Sequence, residues 1–337
     1  MTPLAVIAAR LAQYGAAMIL FGSPLFFVYG LSAEAPNAAP KAGWTRGMLI
    51  AAAVVMLVAA IAALCAQTAT MTDSPADAFV PASLMMVLTG TQFGMALGAR
   101  FTLTAAALGL LLVVKRSRSL WLAVAVLGGG VVASFAWTGH GASDDGWPGL
   151  IHLAADILHL LASAIWLGAL AGLTAVIFGA RPAQSPASLT ILRHALESFS
   201  GVGSAAVALL LATGLLNSLF LVGLGHVGDL WRTTYGLLLL GKVGLFGLMV
   251  ILAAVNRFRL TPQLKAALEP SPLRYHKVRA LPDRQTEPTL AESALAGGVS
   301  PEIAVAQLRR SVGLETAIGL GVLMLVSVLG TLAPLNS

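Results

Sequence analysis

Long apolar stretches of the chain alternate with short polar stretches. A helix needs about 20 apolar residues to cross a bilayer, and several of the stretches reach that length. Their apolar residues are continuous rather than alternating, which argues against a transmembrane β-barrel. The pattern predicts eight membrane-spanning helices, at about residues 10–30, 46–67, 83–114, 120–138, 150–178, 196–222, 233–255 and 312–333.

The composition points to the same class of protein. Of the 337 residues, 58% are hydrophobic and 10% are charged, with a mean hydropathy of +0.87. Soluble domains carry about 25% charged residues. We therefore predict an all-α, polytopic membrane helix bundle in which residues 1–337 form a single transmembrane domain. The one cysteine, Cys65, excludes an intramolecular disulfide framework.

The distribution of basic residues predicts the orientation in the membrane. Lys and Arg number two, three, two and nine in the segments 31–46, 115–119, 179–194 and 256–311. The intervening segments, 68–82, 139–149, 223–232 and 334–337, hold only Arg232. By the positive-inside rule the first set is cytoplasmic, so both termini are predicted to be periplasmic. The net charge of +6 therefore marks cytoplasmic loops and does not indicate nucleic acid as a partner.

Two segments depart from a simple span-and-loop pattern. The segment 83–114 is long for one perpendicular span, so we expect a single tilted helix or a surface half-helix that feeds a span. The segment 256–311 is rich in proline and charge, which predicts a partly disordered cytoplasmic loop. Its end, residues 301–315, is predicted to form a short amphipathic helix before the last span.

The fifth predicted span carries a stripe of polar residues. His152, Asp156 and His159 follow one another at i, i+4 and i+7, which places them on one face of a helix. His140 ends the preceding span on the same side of the membrane. Imidazole binds copper, zinc or iron, and a carboxylate binds the metal or orients the imidazole. These four residues form the predicted metal site; the competing interpretation is a set of hydrated interfacial caps.

Further candidate ligands or relay residues lie toward the same side: His226, Met71, Met85 and Cys65. Thioether and thiolate sulfur favour Cu(I). Methionine is also an ordinary apolar residue in such a chain, and that interpretation is the stronger one for the sulfur-containing residues.

Other polar residues inside the predicted spans need a structural explanation. Arg100 and Lys242 are expected to face the interior of the bundle and to pair with Asp156 or with a carbonyl. Trp166 continues the stripe of His159. Glu197 and Glu315 are expected to form ion pairs near the cytoplasmic ends, where Arg193, Arg257 and Arg310 also lie.

The chain lacks the sequence signals of the common catalytic sites. It has no GxxxxGK[ST] phosphate-binding loop, and no helix carries a nucleophile together with a base and an orienting partner. We therefore predict that the protein is not an enzyme.

Several motifs together resemble the copper-resistance protein D (CopD) family of bacterial inner-membrane proteins. They are RLAQYGAAMILFG, TGTQFGMALGAR, GLIHLAADILHLLASAIWLGAL, TGLLNSL and TTYGLLLLGKVGLFGLMVILAAVNRFRLTPQL. His159, Trp166 and Gly168 stand as in the family pattern HLLAxxxWLGxL. The resemblance implies an eight-span protein of copper homeostasis that moves copper across the inner membrane, often with a periplasmic copper-binding protein of the C type.

Two other functions remain open at this point. Two histidines on different helices ligate haem in membrane cytochromes, so a b-type cytochrome that uses His140 with His159, or His152 with His226, is an alternative. The other alternative is a membrane partner that stabilises a periplasmic copper carrier without transporting the metal.

Overall fold

The computed structural model describes residues 3–31, 43–139, 146–179, 186–268 and 300–336. Its regular structure is helical throughout these ranges. The described part of the chain contains ten α-helices: α1 Pro3–Gly30, α2 Gly43–Met71, α3 Pro81–Gly90, α4 Gln92–Val113, α5 Arg118–Ala133, α6 Gly146–Gly179, α7 Pro186–Leu221, α8 Thr234–Val255, α9 Thr261–Leu268 and α10 Pro301–Leu329. Short 3-10 helices lie at Ala76–Phe79, Ser134–Thr138 and Leu224–Trp231, and a π-helical turn at Asn256–Leu260 joins α8 to α9.

Eight helical stretches in the described part of the chain are long and apolar enough to cross a membrane. This confirms the prediction of a polytopic bundle with eight spans. The segment 83–114 contributes one of them, α4, which follows the short apolar helix α3. The two helices are separated at Thr91, whose hydroxyl caps α4 by accepting a hydrogen bond from the amide of Gly94 at 2.9 Å. A side chain at Gly94 would overlap the carbonyls of Val87 and Leu88, so α3 lies tightly against α4.

Both ends of the predicted loop 256–311 are helical. The π-helical turn and α9 continue α8 as far as Leu268. On the other side, Ser300 caps α10, which runs without a break for 29 residues. The amphipathic segment 301–315 and the last span are therefore one helix. Residues 269–299, the rest of the predicted loop, lie outside the described residues.

Helix α1 lies at the centre of the bundle, against α2, α5, α6 and α10. Its closest approach is to α6, where a methyl group at Gly168 would overlap the carbonyl of Met18 and the backbone of Gly22. Such small-residue contacts let two helices pack closely in lipid. Ser23 completes this contact, because its hydroxyl donates a hydrogen bond to the Gly168 carbonyl at 2.6 Å.

The two ends of the bundle differ in their polar residues. At one end Asn336 donates a hydrogen bond to the carbonyl of Phe220, near the start of α6 and its His152. At the other end Arg309 donates to the carbonyl of Ile177, near the end of α6. We call the first the histidine end, for His152 and His226. The second is the basic end, for Arg118, Arg193, Arg257 and Arg309.

Candidate metal-binding site

The polar stripe of α6 faces α7, and each of its three residues meets one residue there. The ring of His152 stacks on Phe220, Asp156 accepts a hydrogen bond from Asn217, and His159 bonds to Thr213. The two helices are antiparallel, so the order along α7 is reversed. The three partners also stand at i, i+4 and i+7 when read from Thr213. The stripe is thus matched by a complementary stripe on the neighbouring helix.

The contact with Thr213 favours one tautomer of the His159 ring. The threonine hydroxyl lies 2.7 Å from the carbonyl of Leu209, to which it donates its single proton. The same oxygen lies 3.0 Å from Nδ1 of His159, which fits the tautomer in which Nδ1 carries the proton and donates it to the hydroxyl oxygen. The neutral ring then keeps its lone pair on Nε2. A metal-binding histidine is usually oriented in this way by a hydrogen bond to its other nitrogen.

His152 lies closer to the histidine end and is almost fully enclosed. Its exposed fraction is 2%, and its ring is parallel to that of Phe220, with an interplanar angle of 4° and centroids 4.5 Å apart. The stacking fixes the plane of the imidazole ring. The side chain is therefore not a freely hydrated cap at the membrane surface.

Asp156 connects the stripe to three other elements. Its Oδ1 accepts a hydrogen bond of 3.4 Å from Nδ2 of Asn217. A Cβ atom placed at Gly139, just after the 3-10 helix Ser134–Thr138, would lie 3.8 Å from Oδ2 of Asp156. On the α8 side, the carboxylate and Lys242 are within electrostatic range, although the described residues include no ion pair between them closer than 4.0 Å. The positive charge of Lys242 acts on the stripe, but the predicted direct pair with Asp156 is not among the contacts of the described residues.

The predicted four-residue metal site is described only in part. His140 lies outside the described residues. Within the described ranges, no three His, Cys, Asp or Glu side chains converge closely enough to hold a metal ion. His152 and His159 are two helical turns apart, which is about 10 Å along the axis. Asp156 lies between them, one turn from each.

The remaining candidate ligands lie away from this stripe. His226 is exposed in the 3-10 helix Leu224–Trp231, between α7 and α8. Cys65 is a free, half-buried thiol on α2, and Met71 is exposed at the end of that helix. Met85 is exposed on α3, which packs against α2 and α4. The sulfur-containing residues therefore belong to the α2–α3 face, whereas the histidines of α6 face α7.

Arg100 is buried inside the bundle and bonded to neutral groups. Its guanidinium donates to the hydroxyl and the carbonyl of Ser134, at 2.9 and 3.2 Å, and to Gln13 and Thr138. Its charge also lies 4.0 Å from the centre of the Phe135 ring. The expected carbonyl partner is thus present. Arg100 fixes the 3-10 helix that leads to Gly139 and so holds that segment beside Asp156.

The sequence assigned the wrong partners to Glu315. Its carboxylate was expected to pair with arginine, but it accepts hydrogen bonds of 3.0 Å from Trp166 and from Asn256. The prediction failed because the face of α10 that carries Glu315 turns into the bundle, away from the surface arginines. For Glu197 the expected ion pair with Arg193 is confirmed, at 2.8 Å.

Thr213 and Asn217 were not predicted from the sequence as members of the site. Each is an ordinary polar residue in an apolar helix when considered alone. The available signal was their spacing, which repeats that of the α6 stripe. Only the packing of α6 on α7 shows that the two stripes face each other.

Comparison with known proteins gives a consistent set of relatives. The family model described as copper resistance protein D-like, N-terminal domain, matches residues 1–150, and the one described as copper resistance protein D matches residues 193–329. No solved structure matches the chain.

Three curated proteins are similar to this chain. Copper resistance protein D of Pseudomonas syringae pv. tomato is 35% identical over 263 residues, which are 78% of this chain and 84% of that protein. Inner membrane protein YebZ of Escherichia coli (strain K12) is 29% identical over 77% of this chain and 85% of its own length. Copper transport protein CutJ of Bacillus subtilis (strain 168) is 33% identical over 42% of this chain, which is 25% of that longer protein.

Proposed function

The chain belongs to the copper resistance protein D family, and from this premise we propose that it carries copper ions into the membrane through the α6–α7 stripe. It is a multi-pass inner-membrane protein related to copper, with eight spanning helices. We assign no catalytic chemistry to the chain.

The arrangement of His159 carries the proposal. Thr213 holds its Nδ1, so Nε2 keeps a lone pair that can bind a metal ion. Asp156 lies one turn away on the same face, and Asn217 orients its carboxylate. Imidazole nitrogen is a good ligand for copper, and partners that orient the ligands raise metal affinity. We assign His159 and Asp156 to an inner copper position.

His152 supplies an outer position, one turn from Asp156 and two turns from His159 toward the histidine end. Phe220 fixes its ring plane, and Asp156 lies within electrostatic range of it. Gly139 lies beside Asp156. Because His140 is the next residue after Gly139 in the chain, we include it in the proposal as a ligand of the outer position. Asp156 is then shared by two positions, and copper steps inward from His152 to His159.

The direction of movement follows from the predicted orientation. If the basic end is cytoplasmic, the histidine end faces the periplasm, and copper enters there. The donor in this scheme is a periplasmic copper-binding protein of the C type.

Copper binding by the purified protein tests the site. We expect His159→Ala to weaken copper binding at least tenfold, whereas His226→Ala, which removes an exposed histidine, leaves binding within a factor of two. Equilibrium dialysis with Cu(I) and with Cu(II) measures both variants and resolves the oxidation state. Unchanged binding in the His159→Ala variant would count against the site.

Two further measurements separate the alternative functions. Copper uptake into proteoliposomes above that of protein-free vesicles supports transport, and bound copper without uptake indicates the non-transporting partner of a copper carrier. A Soret band in the visible spectrum of the purified protein would indicate haem b and would overturn the copper site.

A further inference from the structure

Glu315 is a fully buried carboxylate at the meeting point of α6, α10 and the π-helical turn. Its exposed fraction is 0%. Nε1 of Trp166 donates a hydrogen bond to Oε1, and Nδ2 of Asn256 donates one to Oε2, each at 3.0 Å. An ionised carboxylate in hydrocarbon is costly and usually marks a functional site. Neither the copper site nor the close packing of α1 on α6 uses this group.

The charged groups of the elements around Glu315 are directed elsewhere. On α8, Lys242 lies within electrostatic range of Asp156, and on α6 His159 bonds to Thr213. On α10 itself, Arg309 donates to the carbonyl of Ile177. Arg257 bonds to Ser200 and Ser204. Four further charged residues are exposed: Arg259, Lys265, Glu302 and Arg310. Arg10 lies beside Gly330 at the histidine end, and the hydroxyls of Tyr14 and Tyr29 are on α1. Among the described residues, no Lys, Arg or His forms an ion pair with Glu315.

A cavity reaches the two hydrogen-bond partners of this carboxylate. It has a volume of about 210 Å³ and lies between α7 and the junction of α8 with α9. Trp166 and Asn256, the two partners of Glu315, line it. So do the partly exposed Ser200, the exposed Ser204 and Arg257, which bonds to both serines. The walls are largely apolar with a few polar groups, and the volume is sufficient for several water molecules.

Asn256 presents an unused hydrogen-bond acceptor at this cavity. Its Nδ2 is bonded to Glu315, whereas its buried Oδ1 has no hydrogen-bond partner in the described structure. Burial of a carbonyl oxygen without a partner costs about 1–3 kcal/mol. Asn256 also begins the π-helical turn, a local irregularity that is frequent at functional sites.

We propose that Glu315 is a proton-binding site that exchanges with water at the basic end through this cavity. A hydronium ion in the cavity transfers its proton to Oε2 of Glu315 and leaves as water, and the carboxylate becomes a neutral carboxylic acid. The amide of Asn256 then rotates, so that Oδ1 accepts a hydrogen bond from the new O–H group and Nδ2 faces the cavity. Loss of the proton to cavity water reverses both changes.

Oxygen and indole groups suit a proton better than copper. The site offers carboxylate and amide oxygens, which are hard ligands, and no sulfur or imidazole. Trp166 follows His159 by seven residues, so the two sites are about 10 Å apart along α6. The proton site therefore goes beyond the proposed copper function and does not depend on it.

Infrared spectroscopy of the purified full chain in detergent tests the proposal without copper. We expect a protonated-carboxyl band that rises as the pH falls and shifts in D2O. The band should be absent from Glu315→Gln, which keeps the shape of the side chain. It should remain in Glu197→Gln, which removes a carboxylate from a surface ion pair. A wild-type spectrum that matches that of Glu315→Gln at every pH would overturn the proposal, as would a band that never changes with pH.

A second measurement tests the route and the identity of the ion. Gly203→Leu places a side chain in the cavity, and we expect it to slow the H–D exchange of the band at least tenfold. Gly201→Leu is the control, because Gly201 is exposed and has open space around it. Equal exchange in the two variants would overturn the route. Loss of the band on addition of Na⁺ at constant pH would show a metal cation in place of the proton.

Discussion

The imidazole of His159 and the hydroxyl of Thr213 lie 3.0 Å apart across the interface of α6 and α7. The hydroxyl also lies 2.7 Å from a main-chain carbonyl, which favours donation to that carbonyl and acceptance from the ring. In this arrangement one side chain on α7 leaves Nε2 on α6 available to a metal ion.

Removal of that hydroxyl should weaken copper binding. We expect Thr213→Val to lower the affinity about tenfold or more, because ligand-orienting partners are worth 10–100-fold in metal affinity. Thr104→Val is the matched control, since the buried Thr104 hydroxyl has no partner in the described structure. Equal copper affinities in the two variants, measured by equilibrium dialysis, would show that Thr213 does not orient the ligand.

Removal of the positive charge beside the stripe should have the opposite effect. Lys242 is within electrostatic range of both Asp156 and His159, so it opposes the arrival of a metal cation. We expect Lys242→Met to raise copper affinity about three- to tenfold, as expected for the loss of one unit charge at several ångströms. Lys265→Met, which removes an exposed charge on α9, should leave the affinity unchanged. A fall in affinity would mean that Lys242 holds the ligands in place.

The contact of α1 with α6 predicts a contrast between two glycines. A methyl group at Gly168 would overlap the backbone of α1, whereas Gly244 has open space around it. We expect Gly168→Ala to destabilise the protein by about 1–3 kcal/mol, the usual cost of overpacking. Gly244→Ala should be neutral or slightly stabilising, since alanine is the better helix former. Thermal unfolding in detergent measures both, and equal midpoints would contradict the close approach.

The network of Arg100 predicts a difference between two arginines. Lysine at position 100 keeps the charge but cannot make the forked hydrogen bonds to Ser134 and Thr138. We expect Arg100→Lys to destabilise the protein by about 2 kcal/mol, the value of a hydrogen bond to a charged group. Arg118→Lys, at an exposed position at the start of α5, should leave the unfolding midpoint where it is. An unaltered midpoint for Arg100→Lys would remove the basis for its structural role.

The orientation in the membrane is open to a labelling test. In a Cys65→Ser background, an impermeant thiol reagent added to spheroplasts should label Val227→Cys, at the histidine end. It should not label Ser119→Cys, at the basic end, until the membrane is permeabilised. Both positions are exposed. The reverse pattern of labelling would place the histidine end in the cytoplasm and would reverse the proposed direction of copper movement.

The sequence by itself determined the eight spans and the polar stripe of α6. Hydrocarbon requires each spanning segment to satisfy its own backbone hydrogen bonds, so a continuous apolar run of about 20 residues is a helix whatever its neighbours are. The stripe follows from the period of the helix, which is also a local property. Positions 152, 156 and 159 share one face for this reason alone.

Only the tertiary structure decided what each polar residue contacts. His159 meets Thr213 across 54 residues of sequence, and Trp166 meets Glu315 across 149. In both cases the partner depends on which face of a second helix turns inward. That rotation is set by packing between helices, such as the close approach at Gly168, and periodicity within one helix does not encode it. From the sequence we therefore predicted that Glu315 pairs with surface arginines. The packing of α10 on α6 instead buries its carboxylate beside an indole and an amide.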